Sequence, residues 1–299
     1  EIKFFSETQP FGYILFARNC ENPQQIKDLV ASLKKLSGRE NLPILIDQEG
    51  GRVARLKPPH FPAFPPAGKF AEMAETNLEA AKKATYENAL AIAAMLTDLG
   101  ITVNCAPLAD LPIEGAHDII GDRAFGKNPQ QVIALARAQA QGLMDGGIVP
   151  ILKHIPGHGR AFADSHHELP VVETDLETLR KTDFVPFAAL SDLPMAMTAH
   201  VLYTAIDPQK MATVSPIAIS LIRDELGFDG LLMSDDLSMK AMQGDFTQRT
   251  KEVLAAGCDV VLHCNGDMTE MQQIAKGLVP LAGKSLERAK RAMGMTRNH

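Results

Sequence analysis

The chain has 299 residues, is 45% hydrophobic and 22% charged, and carries 36 acidic against 30 basic side chains, a net charge of −6. That length buries a full core without disulfide or metal staples, and an acidic balance with scattered Lys and Arg excludes nucleic acid as the main partner. The four cysteines (Cys20, Cys105, Cys258, Cys264) form no C-x-x-C pair, and no stretch approaches the ~20 apolar residues of a membrane span. A soluble protein of a reducing cytoplasm, with no membrane partner, is expected.

Apolar runs alternate with amphipathic stretches along the chain. Residues 12–17 read as a strand, and Asn22-Pro23 opens a helix with a capping residue followed by proline at the first helical position. Residues 43–47 are the next strand. Thr76 with Glu79 reads as the capping box of a long helix that ends at Gly100. Residues 101–106 form a strand, and Asn128-Pro129 starts a helix that ends at Gly146-Gly147. Four more strands are expected at 148–153, 194–198, 230–234 and 259–263. Helices from near Asp175, Ser215 and Thr247, and a last one from Asp267 toward Met293, separate or follow them.

These seven strand–helix units show no composition break, and their strands are short, Val/Ile/Leu/Met-rich and not alternating, as parallel strands buried on both faces are. The pattern predicts an α/β fold of one domain over residues 1–299: a (β/α)8 TIM barrel whose first strand lies upstream of Glu1 or is degenerate. A doubly wound open sheet competes, but no G-x-G-x-x-G follows the first strand. Asp47, Asn104, Lys153, His154, His200, Asp235, Asp236 and Asn265 fall at or just past strand C-termini, the rim from which barrel enzymes act. Wet loops of any α/β fold would also put polar residues there.

Four segments carry chemistry. Lys153-His154-Ile155-Pro156-Gly157-His158-Gly159 closes an apolar run with two basic groups, and Asp164-Ser165-His166 follows on a loop. A carboxylate beside an imidazole holds the ring in one tautomer and raises its basicity, which is how a general acid/base is built. Asp47-Gln48-Glu49-Gly50-Gly51-Arg52, with Arg55, offers acceptors and guanidinium donors for sugar hydroxyls, or forms a surface turn with local ion pairs. Gly121-Asp122-Arg123-Ala124-Phe125 puts an arginine within reach of a ligand and an aromatic that could stack on it; a turn with arginine on backbone carbonyls fits equally. Ser234-Asp235-Asp236-Leu237 ends a very apolar strand, where one aspartate caps the next turn and the other is spare. His154 and His158 have a zinc-like spacing, but Pro156 and the glycines prevent a helix from aligning them, so no metal is expected.

Together, Asp47 to Val53, Lys153 to Gly159, Asp164 to His166 and Ser234 to Met239 resemble, in this order and over nearly the whole chain, the signature segments of glycoside hydrolase family 3. The resemblance is to its single-domain bacterial β-N-acetylglucosaminidases of peptidoglycan recycling. It implies a cytoplasmic retaining hydrolase, without cofactor, acting as a monomer on an N-acetylglucosamine-containing muropeptide. It implies that Asp235 is the nucleophile and His166 the acid/base, with Asp164 orienting the ring. Asp47, Arg55, Arg123, Lys153 and His154 would hold the sugar hydroxyls, and Asp236 would be structural. A histidine in the acid role fits its ordinary pKa of ~6.5, which leaves a protonated fraction at neutral pH without burial. The glycines beside His158 would let a mobile loop bring it in. With no Trp in the chain, Phe125 or Tyr203 would supply any stacking face. Rival readings are a phosphorylase with the same site, a metal-dependent hydrolase using the histidines, and a sugar-binding protein that releases no product.

Overall fold

The computed structural model describes residues 1–115, 119–161, 165 and 168–294. Asp164 and His166 lie outside the described residues. Seven strands form one sheet in chain order: β1 (Tyr13–Leu15), β2 (Ile44–Ile46), β3 (Val103–Asn104), β4 (Val149–Ile155), β5 (Met195–Thr198), β6 (Leu231–Asp236) and β7 (Val260–Leu262). Every neighbouring pair is parallel, and all seven match an expected apolar run.

Side chains alternate across each strand, so each contributes to two cores. Ile44 and Ile46 face outward against Ile26 and Val30 of the helix Pro23–Ser37 and Ile92 and Leu96 of the helix Leu78–Asp98. Leu45, Val103, Val149, Ile151, Met195, Met197, Leu231, Met233 and Leu262 share an inner cluster that Ile14 joins. Ile14 and Leu262 belong to opposite edges of the sheet, so a shared cluster requires the sheet to curl into a TIM-like barrel. No ladder joins β1 to β7 among the described residues; the Arg18 guanidinium donates to the Cys264 carbonyl across that seam. Before β1 the chain forms the helix Ile2–Thr8, and no eighth strand joins this sheet among the described residues.

One alternation step beyond the inner apolar layer come Asp47, Cys105, Lys153, Asp235 and Cys264. The inward face thus changes from aliphatic to polar at the C-terminal end of the strands, and this step places the site.

At the opposite end, the helix Gly283–Met293 inserts Ala289 and Ala292 into the inner cluster. Asp259, just before β7, holds it there: its buried carboxylate accepts from Ser285 Oγ at 2.6 Å, Arg288 Nη1 at 3.2 Å and Arg223 Nη2 at 2.7 Å. The single helix expected from Asp267 toward Met293 is two, Met268–Gly277 and Gly283–Met293, with Pro280 in the gap where a helical N–H would be required.

The caps follow the sequence with one correction. Asn22 accepts from Gln25 N, and Asn128 accepts from Gln130 N and Gln131 N, as their Asn-Pro sequences predict. The helix Leu78–Asp98 is capped by Asn77, which accepts from Ala80 N at 3.0 Å, and not by Thr76. Thr76 ends the preceding helix Ala67–Thr76 and donates to Met73 O. Asn77→Ala is therefore expected to cost about 1 kcal/mol in urea denaturation, and Thr76→Ala only a few tenths. The reverse ranking would return the cap to Thr76.

Candidate active site

Five charged side chains form a ladder across the barrel top. Arg55 Nη2 lies 2.9 Å from Asp47 Oδ2, and Lys153 Nζ lies 3.1 Å from Asp47 Oδ1 and 2.6 Å from Glu49 Oε1. Arg123 grips Glu49 through two bonds, Nε to Oε2 at 2.9 Å and Nη2 to Oε1 at 2.8 Å. Burial would raise both carboxyls. Lys153 overrides it, helped by Arg55 at Asp47 and Arg123 at Glu49, and holds both below the usual carboxylate range. Burial likewise works against the Lys153 ammonium, yet Glu49 and Asp47 hold it above its ordinary value. Asp47, Glu49 and Lys153 are therefore charged at neutral pH, and with the two guanidinium groups the ladder sets three basic side chains against two acidic ones.

The strand β2 and its hairpin position the acidic half. The short strands Gln48–Gly50 and Val53–Ala54 pair antiparallel, and buried Gln48 braces the turn by accepting from Arg55 N and Leu56 N. Asn104 clamps the Gln48 backbone from both sides, at 3.0 Å and 2.9 Å, and is thereby used in folding. Gly50 has φ 111, and a Cβ there would collide with the Pro65 carbonyl. Asp47 and Glu49 are two apart in this extended segment, so their carboxylates share a side.

Next to the ladder, β4 delivers His154 through a cis Lys153–His154 peptide bond. Its ring is not free to turn. Nδ1 lies 2.7 Å from Oδ2 of fully buried Asp110, and its backbone N donates to Asp110 Oδ1 at 3.2 Å. The same oxygen accepts from His158 N at 2.7 Å. Burial would raise the Asp110 carboxyl, but His154 and then His158 hold it low. The His158 ring packs edge-on against His154, with centroids 5.7 Å apart. Burial first, and then His154, push the His158 imidazole down to about 4, so it is neutral at physiological pH.

The loop after β4 is anchored as far as it is described. Tyr203 donates its hydroxyl to the Gly157 carbonyl, and Arg160 Nε meets Asp183 Oδ2 at 2.6 Å. A Cβ on Gly159 would run into the Leu111 carbonyl. Farther on, the Ser165 carbonyl accepts from Ala241 N at 3.3 Å.

Asp235 and Asp236 divide as different kinds of carboxylate. Asp236 Oδ1 accepts from Ser238 N and Cys264 N, each at 3.0 Å, and Oδ2 accepts from the Ser238 hydroxyl, so it ties the turn after β6 to the end of β7. Asp235 is buried, and among the described residues its side chain accepts one bond, from Asp236 N at 2.8 Å. Beneath the pair, His200 Nε2 donates to the Asp236 carbonyl at 3.0 Å, because a carbonyl only accepts. Burial keeps that ring neutral against the pull of Asp235, so its bare Nδ1 accepts from Thr213 Oγ1 at 2.7 Å. Burial, followed by the carboxylates of Asp236, Asp47 and Asp235, raises the Cys264 thiol well above its ordinary value. One thiol thus feels both the ladder and Asp235, which brings them into a single site.

The whole of this frame matches a known family. The family model "Glycosyl hydrolase family 3 N terminal domain" matches residues 5–290. The chain belongs to glycosyl hydrolase family 3. It is 37% identical over 286 residues to a beta-hexosaminidase of Bordetella parapertussis, covering 94% of this chain and 80% of that one. A beta-hexosaminidase of Methylococcus capsulatus is 40% identical over 271 residues, with 89% and 78% covered. Among solved structures, NagZ from Neisseria gonorrhoeae in complex with N-trifluoroacetyl-D-glucosamine superposes with a TM-score of 0.89 at 33% identity, covering 98% of this chain and 85% of that one. A family 3 beta-N-acetylglucosaminidase from Paenibacillus has a TM-score of 0.86 at 30% identity, covering 96% and 58%. As a family 3 member the protein is a glycoside hydrolase, and no helix among its described residues is long and apolar enough to cross a membrane.

Of the residues expected in this glycoside hydrolase site, Asp47, Arg55, Arg123, Lys153, His154 and Asp235 come together at the barrel top. Asn265 does not: it turns toward Glu270 and caps the turn at Asp267. Phe125 and Tyr203 offer no stacking face, since both are buried in the main core cluster. One residue, Glu49, was read only among the acceptors of the segment Asp47 to Arg52, without a site role of its own, and a second, Asp110, escaped the sequence reading. Glu49 forms the middle of the ladder, and its two-residue spacing from Asp47 was the available signal. Asp110 was a lone acid in the apolar stretch Leu108-Ala109-Asp110-Leu111, a place where an unpaired charge is costly.

Proposed function

We propose that the protein is a retaining exo-β-N-acetylglucosaminidase that removes terminal N-acetylglucosamine from peptidoglycan fragments, GlcNAc-1,6-anhydroMurNAc with or without peptide. One observation carries the mechanism: Asp235 is a buried carboxylate at the barrel top with a single bond among the described residues, beside a neighbour whose oxygens are both occupied. An acid so placed is suited to attack. The beta-hexosaminidase names of the relatives, and the N-trifluoroacetyl-D-glucosamine held by the Neisseria structure, support the choice of sugar.

In this reading Asp47, Arg55, Arg123, Lys153 and His154 bind the hydroxyls of the terminal sugar. Asp235 attacks C1 from the face opposite the aglycone and forms a glycosyl-enzyme, while His166, oriented by Asp164, protonates the departing oxygen. Water then enters where the aglycone left. His166 removes its proton, and the second inversion restores the β configuration. Residues 1–299 act as a single catalytic domain, as a monomer in the cytoplasm.

The deciding experiment compares an aryl N-acetyl-β-glucosaminide with the aryl β-glucoside and follows the product by NMR before mutarotation. β-N-acetylglucosamine as first product supports the proposal; the α anomer, equal use of the glucoside, or sugar-1-phosphate in phosphate buffer would each overturn it. His166→Ala is expected to lose about 10²–10⁴-fold on a natural aglycone and much less on an activated aryl one, which needs little protonation. Equal losses on both would remove His166 from the acid role.

A further inference from the structure

We propose that Asp110 is a positioning residue, fixing the His154 imidazole so that its Nε2 edge accepts a hydrogen bond from a hydroxyl of the terminal sugar. The proposal rests on the reading of His154 as a sugar ligand and adds how that ligand is aimed. Asp110 is fully buried in the loop after β3 and meets His154 twice, at the ring Nδ1 and at the backbone N. Two contacts from one carboxylate to one residue fix both the backbone position and the ring torsion. A third restraint is the His158 ring, edge-on at 5.7 Å, itself tied to Asp110 by its backbone N.

A carboxylate only accepts, so Nδ1 carries the proton that faces Asp110, and in the tautomer this selects Nε2 is an acceptor. The His154 side chain is 11% exposed, and with Nδ1 turned into Asp110 its remaining polar atom is on the opposite edge. In this Asp–His pair the imidazole is carried by a strand end and the carboxylate by the loop after β3.

Asp110→Asn separates aiming from folding. Asn keeps an oxygen for the two backbone N–H groups but places an NH2 against Nδ1. The ring proton then moves to Nε2, and the sugar hydroxyl meets a donor in place of an acceptor. In the full-length enzyme this is expected to raise KM for the aryl N-acetyl-β-glucosaminide about tenfold or more, with a smaller change in kcat, the scale of one mismatched hydrogen bond in a dry site. His154→Gln puts an amide near the Nε2 position without needing Asp110. In that background, adding Asp110→Asn should change KM by less than about threefold. The 15N signals of His154 in the wild type should show a protonated Nδ1 and a bare Nε2, exchanged in Asp110→Asn. Equal KM effects in both backgrounds, or a wild-type ring protonated at Nε2 alone, would overturn the proposal. Failure of the substrate reading is visible separately, as absence of wild-type turnover before any variant is made.

Discussion

Asp235→Asn is expected to reduce kcat by at least about 10³-fold, or ~4 kcal/mol of transition-state stabilisation, while leaving the melting temperature close to that of the wild type. Asn matches Asp in shape, and its oxygen can still accept from Asp236 N, the bond seen at 2.8 Å. What disappears is the anion, and with it the ability to form an ester to C1. A second variant makes the result specific. Asp235→Ala opens space for a small anion, so azide should restore turnover and yield the α-glycosyl azide, because it attacks from the face the carboxylate occupied. Full activity in Asp235→Asn, or a β-azide product, would remove Asp235 from the nucleophile role.

Lys153→Met is expected to have the largest effect on stability, about 3–5 kcal/mol at pH 7, because it strips the shared cation from two buried carboxylates. The pH dependence gives the sign. Asp47 and Glu49 have folded pKa values below the ordinary carboxylate value of about 4. Their contribution is therefore complete above that value and is lost as pH falls through the depressed folded values. Wild-type stability should decline on acidification below about pH 5, and the gap to Lys153→Met should narrow over the same range. Urea midpoints from pH 7 to pH 3 test this. A gap that stays constant would mean that the ladder contributes nothing through its charges.

Much of the fold was legible because parallel strands are short and apolar on both faces. All seven runs were visible as Val, Ile, Leu and Met between helix signals. The limits of that legibility are local. Thr76 and Asn77 are both good capping residues, and only the end of the helix Ala67–Thr76 decides between them. Residues 278–282 separate two helices that a continuous amphipathic reading merges.

For the site, strand-end polarity marked Asp47, Lys153 and Asp235, since each continues an inward-facing register. It over-selected Asn104 and His200, whose polar atoms serve backbone and hydroxyl partners. It also passed over Asp110, which lies beyond β3 and meets His154 across 44 positions of chain. Such pairings follow from the curl of the sheet and from no local pattern.

The helix Gly283–Met293 bears on how the protein is made. Its Ala289 and Ala292 complete the inner cluster to which β2 through β7 contribute. All seven strands therefore leave the ribosome before the segment that seals their interior. During synthesis the nascent sheet must hold an open apolar bore, a state in which binding to chaperones or to other chains competes with folding. Ribosome-bound chains stalled before residue 283 should accordingly remain protease-sensitive at the barrel interior, and extension through residue 293 should be the step that confers protection.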